Sequence, residues 1–179
     1  MIKLYTRVYN ALSVVLWIVV VYSAIWQYKY AYKLTTVSQI LNILDILHAL
    51  TGITKSASTP AIMQAASRLT SLTLTSSTSH EPWVRVMMAA WGVADAIRFA
   101  YYLYPDGMQW LRYNLFIVLY PVGFACEMIA IFKSEVEDLV KYGLLAGWPV
   151  GFYFMYSHMF RQRRKLASVS NLKTSVKSK

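Results

Sequence analysis

Residues Leu111–Phe132 read LRYNLFIVLYPVGFACEMIAIF, an apolar run whose charged residues are Arg112 near its start and Glu127 toward its end. At about 1.5 Å of rise per residue, such a run matches a hydrocarbon core of roughly 30 Å. A second run, Ala11–Tyr28 (ALSVVLWIVVVYSAIWQY), carries no charge at all. No A-x-A cleavage pattern follows it and further apolar runs lie downstream, so it reads as a retained first helix and not as a signal peptide. With 57% hydrophobic residues, 15% aromatic residues and a mean hydropathy of +0.39, the chain exceeds what an ordinary soluble core uses. Lipid is the expected solvent.

Outward from these two runs, four more segments carry helical signals. Val37–Ile53 holds Asp45 and His48 among leucines and isoleucines, and Pro60–Leu74 (PAIMQAASRLTSLTL) holds Gln64 and Arg68. Val84–Tyr104 and roughly Leu139–Phe160 complete the set. Lys29–Thr36 reads as a short loop, Thr75–Pro82 as a polar loop, Pro105-Asp106-Gly107 as a turn, and Lys133–Lys141 as a charged connection. The expectation is an all-α, polytopic membrane protein with six transmembrane helices in one bundle over residues 1–160. A basic, disordered cytosolic tail is expected over 161–179.

Net charge is +10, and its placement argues against nucleic acid as a partner. Seven of the 18 basic residues lie in the tail (Arg161, Arg163, Arg164, Lys165, Lys173, Lys177 and Lys179), and no acidic residue follows Asp138. A basic segment directly after an apolar helix marks a cytosolic end beside anionic headgroups. Six spans place both termini on that side, in agreement with Lys3 and Arg7, whereas Lys29 and Lys33 fall on the far side against the rule. The single cysteine, Cys126, has no disulfide partner and no Cys or His cluster around it, so neither a disulfide nor a metal site is expected. It reads as a small core residue.

Ionisable groups in hydrocarbon are costly, so those present pair, line a cavity or act in chemistry. In the six-span arrangement Asp45, Gln64, Arg68, Asp95, Arg98 and Arg112 all fall in the cytosolic halves of their helices, which suggests one polar cavity open to the cytosol. The bland reading is that the aspartates merely neutralise Arg68 or Arg98 in buried ion pairs. Tyr120 and Glu127, seven residues apart, lie two turns along and about 20° off one helix face. Between them Pro121 removes a backbone hydrogen bond and Gly123 removes side-chain bulk, so a kink there would let a substrate approach. Tyr120 alone is one tyrosine among 14. Glu127 has no cationic residue three or four positions away, and an isolated buried carboxyl is what general-base chemistry uses.

WLRYNLFIV followed by LYPVGFACE resembles the LRYxxFxxLYPxGxxxE signature of the 3-hydroxyacyl-CoA dehydratases. ILDILHALTGITKSASTPAIMQAASRL, AAWGVADAIRF and GWPVGFYFMYSHMFRQRRK resemble three further blocks of that family, in the same order. The resemblance runs from Leu4 to about Lys165. It implies six helices in the endoplasmic reticulum membrane, both termini cytosolic, and removal of water from a 3-hydroxyacyl-CoA to give a trans-2-enoyl-CoA in fatty acid elongation. It further implies a catalytic tyrosine and glutamate at Tyr120 and Glu127, with supporting positions at Gln64, Arg68, Arg98, Arg112 and Gly123. No cofactor is implied. The implied partners are the acyl-CoA substrate, the bilayer and other elongation enzymes. Asp45 and Asp95 stand where the family usually has glutamate, so each carboxyl has one methylene less of reach. The family has also been likened to tyrosine phosphatases, yet those require a His-Cys-x5-Arg loop, and Cys126 has no such surroundings.

Dehydration needs a base for the proton beside the thioester and an acid for the departing hydroxyl. Glu127 as base and Tyr120 as acid is one assignment; Glu127 acting through Tyr120 is the other, and spacing does not order them. Arg112 lies about 12 Å by helix rise from Tyr120, where it would meet CoA phosphates, helped by Arg98 and Arg68, or snorkel to headgroups. The alternative class is a non-catalytic scaffold related to the family, or a transporter, for which internal symmetry would be expected and is not found.

Overall fold

A computed structural model describes residues 2–26, 28–54 and 58–177. Residues 55–57 of the Ile43–Leu69 block, the last two tail residues Ser178 and Lys179, and the side chains of Lys173 and Lys177 lie outside the described residues. The described chain forms six helices: α1 (Ile2–Trp26), α2 (Tyr28–Leu50), α3 (Ser58–Leu74), α4 (Pro82–Leu103), α5 (Pro105–Lys133) and α6 (Asp138–Lys177). There is no strand among the described residues.

Cross-helix contacts show that successive helices alternate in direction. The Tyr5 hydroxyl meets His48 Nε2 at 2.9 Å, joining the start of α1 to the end of α2. Tyr32 donates to the Leu72 carbonyl at 2.5 Å, joining the start of α2 to the end of α3. Arg85 caps the end of α1 through the carbonyls of Ala24 (2.9 Å) and Ile25 (2.5 Å), satisfying C-terminal acceptors that α1 leaves open. Tyr113 and Gln162 pair the start of α5 with the far part of α6. The ends of α1 and α6 that carry Tyr5 and Gln162 therefore lie at one pole, with the α2–α3 and α4–α5 connections.

The distribution of polarity is inverted relative to a water-soluble core. On α2 the buried stripe is Thr35, Ser38, Gln39, Asn42, Asp45 and His48, at helical spacing, while Val37, Ile40, Leu41, Leu44 and Leu47 face outward. The inward hydroxyls are satisfied locally: Thr35 donates to the Ala31 carbonyl and Ser38 to the Leu34 carbonyl, each at 2.7 Å. On α1 the exposed stripe is Leu4, Val8, Leu12, Val15, Val19 and Tyr22. Apolar surface this continuous needs lipid or protein against it.

Two helices, α1 and α5, are long and apolar enough to cross a membrane. The inward-facing Asn42, Asp45 and His48 of α2 and Asp95 and Arg98 of α4 lower the mean hydropathy of those helices, so composition alone does not class them as spans. Lys29–Thr36, expected as a loop, belongs to α2, because its polar positions such as Thr35 turn inward. Pro105, expected within a turn, is the first residue of α5, where its missing N–H is harmless; Tyr104 alone separates α4 from α5. Helix α6 continues through Arg161 into the basic segment, so no helix end marks residue 160.

The α1–α4 contact is closed by Gly92. A Cβ there would stand 2.6 Å from Val21 Cγ2 and 3.3 Å from the Trp17 carbonyl oxygen, so only glycine admits this approach.

Candidate active site

Helix α5 carries Tyr120, Gly123 and Glu127 toward one cavity of about 320 Å³, walled also by α3 (Gln64, Ser67, Arg68), α4 (Ala90, Trp91, Ala94) and α6 (Gly147, Trp148, Gly151, Phe152). Its lining is mostly apolar. The space beside Glu127 comes from glycines on two helices, Gly123, Gly147 and Gly151, which supply the room expected of a kink at Pro121. Pro121 itself lies within α5, whose helix continues past it.

Glu127 is buried, and each carboxyl oxygen has its own donor. Trp91 Nε1 donates to Oε1 at 3.1 Å and Trp148 Nε1 donates to Oε2 at 2.8 Å. Gly123 faces the first of these indoles: a Cβ at residue 123 would stand in ordinary contact with it, 3.5 Å from Trp91 Nε1. The Arg68 guanidinium lies 5.3 Å from the centre of the Trp91 ring. Tyr120 packs edge-on against Phe116, and its hydroxyl makes no hydrogen bond among the described residues.

Five of the six polar residues expected to converge form one network. Arg68 pairs with Asp95, and with its amide oxygen turned to Arg68, Gln64 accepts from Nη2 at 2.6 Å. Arg98 lies 3.4 Å from Asp95 and 3.7 Å from Asp45, and Asn42 donates to Asp95 at 3.2 Å. Both aspartates are thus held in ion pairs, and their shorter reach does not prevent pairing. Arg112 differs. It has no carboxylate among the described residues; its guanidinium lies 4.5, 5.1 and 5.6 Å from the rings of Tyr101, Tyr102 and Tyr113, and its buried Nη1 has no hydrogen-bond partner.

Arg112 and Arg98 line a second, polar cavity of about 570 Å³ with Tyr9, His48, Tyr102, His158 and Gln162. Tyr120 and Gln64 line both cavities and the narrow neck between them. Tyr120 therefore sits where an apolar chamber meets a basic one, with Glu127 two turns deeper on the apolar side.

Trp91 and Trp148 are absent from the set of site residues legible in the sequence. Nothing local flags them: Trp148 is 21 residues from Glu127 and on another helix.

Fold and site together define an all-helical protein with a buried phenol and carboxyl at the meeting of two chambers. Residues 39–169 match the model of the protein tyrosine phosphatase-like protein family, PTPLA, and the chain belongs to that family. It is 29% identical over 192 residues to the Schizosaccharomyces pombe protein named "Probable very-long-chain (3R)-3-hydroxyacyl-CoA dehydratase", covering 91% of this chain and 92% of that protein. It is 31% identical to very-long-chain (3R)-3-hydroxyacyl-CoA dehydratase 1 of Ovis aries, covering 78% of this chain and 59% of the sheep protein. With the Caenorhabditis elegans dehydratase hpo-8 it shares 28% identity over 69% of this chain and 72% of that one. No solved structure matches the chain. The word phosphatase in the family description finds no counterpart here: Cys126 is inside α5, buried in a cluster with Leu72, Met87 and Met88.

Proposed function

We propose that this protein is a very-long-chain (3R)-3-hydroxyacyl-CoA dehydratase, which removes water from a 3-hydroxyacyl-CoA to give the trans-2-enoyl-CoA. The observation that carries this reading beyond similarity is that Tyr120 and Glu127 line the same apolar cavity, at its junction with a basic one. An acyl-CoA has the matching division: a hydrocarbon tail, a polyanionic head, and the reacting carbons between them.

In this reading Glu127 is the base. An indole N–H can only donate, and Trp91 and Trp148 place one donor on each oxygen, an arrangement matched to a carboxylate. Glu127 takes the C2 proton, the C3–oxygen bond breaks, and the Tyr120 hydroxyl protonates the leaving oxygen so that it departs as water. Glu127 is left neutral and Tyr120 as phenolate; return of the proton from one to the other restores the pair. Arg112, free of carboxylates, contacts the CoA phosphates, while Arg68 and Arg98, held by Asp95 and Asp45, shape the neck. Gln64 supports the pair by holding Arg68, and Gly123 lines the chamber on the helix face between them.

The same reading places all six helices across the endoplasmic reticulum membrane, with both termini and the basic segment 161–179 in the cytosol beside other elongation enzymes. Apolar stripes facing outward on α1 and α2 around a polar interior support it.

The test is an assay of purified protein with a 3-hydroxyacyl-CoA, following enoyl product. Tyr120→Phe and Glu127→Gln are each expected to abolish turnover while circular dichroism and thermal melting stay as in the parent. Retained turnover in either removes that residue from the mechanism, and no turnover in the parent leaves a non-catalytic scaffold.

A further inference from the structure

Helix neighbours around the apolar chamber pack directly, α4 on α5 and α5 on α6, with α3 held against α2 and α5. Between α3 and α6 no comparable packing exists among the described residues. The two helices face each other across the chamber, and Met63 reaches over it, its Cε 4.0 Å from the place a Cβ on Gly151 would occupy. Two residues of the chamber wall, Ala66 on α3 and Gly147 on α6, are exposed on the outer surface. A Cβ on Gly147 would meet no atom within 4 Å. The rims of this seam are apolar, with Ile62 46%, Val150 55% and Phe154 56% exposed.

The other directions out of the chamber are shut to hydrocarbon. Between α3 and α4, whose backbones likewise lack close packing, the gap is crossed by Arg68, which reaches Asp95 and lies over the Trp91 ring. Toward the pole that carries Leu72 and Val84 the chamber is closed by the packed cluster of Leu72, Met87, Met88 and Cys126. Toward the opposite pole it leads past Tyr120 and Gln64 into ion-paired and hydrogen-bonding groups, which an alkyl chain would desolvate at a cost. The chamber volume of about 320 Å³ is about twice that of a cavity that takes one benzene, a molecule of six carbons. A very-long acyl chain is longer than that.

We infer that the seam between α3 and α6 is a lateral portal for the acyl chain, whose distal carbons lie outside the helix bundle in the surrounding lipid while its first carbons fill the chamber beside Glu127. The identity of the ligand rests on the dehydratase reading above; the portal itself rests on the unpacked seam and the closed ends. Chain length is then not measured by the chamber, because the excess simply extends outward.

The experiment closes the seam reversibly. Met63→Cys/Gly151→Cys protein is bridged with a short bis-methanethiosulfonate linker, confirmed by mass spectrometry, and released with dithiothreitol. The readout is the ratio of kcat/KM for a very-long-chain to that for a short-chain 3-hydroxyacyl-CoA. It is expected to fall roughly tenfold or more on bridging and to recover on release. An unchanged ratio, whether both substrates are lost together or neither is, overturns the portal. A second measurement needs no turnover: Gly147→Cys protein is labelled with a lipid-soluble maleimide. A saturated very-long-chain acyl-CoA is expected to protect the thiol and a short-chain acyl-CoA to leave it reactive. Equal labelling with both overturns the inference, as does protection in native membranes before any acyl-CoA is added, which would assign the seam to a bilayer lipid or a partner helix. If unbridged and parent proteins form no enoyl product, the catalytic reading fails while this labelling still decides the portal.

Discussion

Two indole N–H groups on one buried carboxyl are an unusual commitment, because neither can accept and both lose their hydrogen bond if the carboxyl turns away. Trp91 and Trp148 therefore fix the Glu127 oxygens, and in the proposed reaction their effect belongs to the chemical step. Misplacing a reacting group by about 1 Å costs up to roughly a hundredfold, so Trp148→Phe, which frees one carboxyl oxygen to turn, is expected to lower kcat by roughly ten- to a hundredfold with KM little changed. Trp91→Phe should behave alike, and the double variant should lose less than the product of the two, since both act on one carboxylate. Steady-state kinetics decides this: parental kcat in Trp148→Phe removes that contact from the mechanism. Glu127 was legible in the sequence because a carboxyl without a cation within one turn stands out; its two donors were not, because they come from α4 and α6 and meet only on folding. The aspartates show the converse. Asp45 and Asp95 were legible as partners for arginine, and the ion pairs with Arg68 and Arg98 are formed.

At the scale of elements, the closest joint is that between α1 and α4, and Gly92 is its fulcrum. Gly92→Leu puts side-chain atoms where Val21 and the Trp17 carbonyl already stand. Overpacking of this kind costs about 1–3 kcal/mol, so a lowered Tm is expected, together with weaker activity, because Trp91 is the next residue. An undiminished Tm in a detergent melt would mean that α1 slides without penalty. Helices α4 and α5 were plain from their apolar runs, whereas Pro82 and Pro105, read as loop and turn, are the first residues of those helices. The first turns of α2 were not: Lys29–Thr36 is polar enough to pass for a loop, yet Thr35 is fully buried and Tyr32 reaches the Leu72 carbonyl of α3. Hydropathy averages over all faces of a helix and so underrates one whose polar face is turned inward.

Across the whole molecule, the alternating helices put the start of α1, the α2–α3 connection and the later part of α6 at one pole, and residues 75–81 and 134–137 at the other. The basic end of the chain sets the expected orientation. A glycosylation acceptor inserted within residues 75–81 should be modified in microsomes, and acceptors appended to either terminus should not; the reverse pattern, read on a gel, would invert the topology. The sequence by itself determined that the chain is helical, apolar outside and charged at its end, and that a tyrosine and a glutamate share a face of α5. Those are properties of composition and of spacing along one helix. Only the tertiary structure decided that four helices stand apart enough to leave a chamber, that Tyr120 falls at its junction with a basic cavity, and that α3 and α6 leave a seam. Cavities and gaps are set by where neighbouring helices come to rest against small residues, which no pattern within a single helix records.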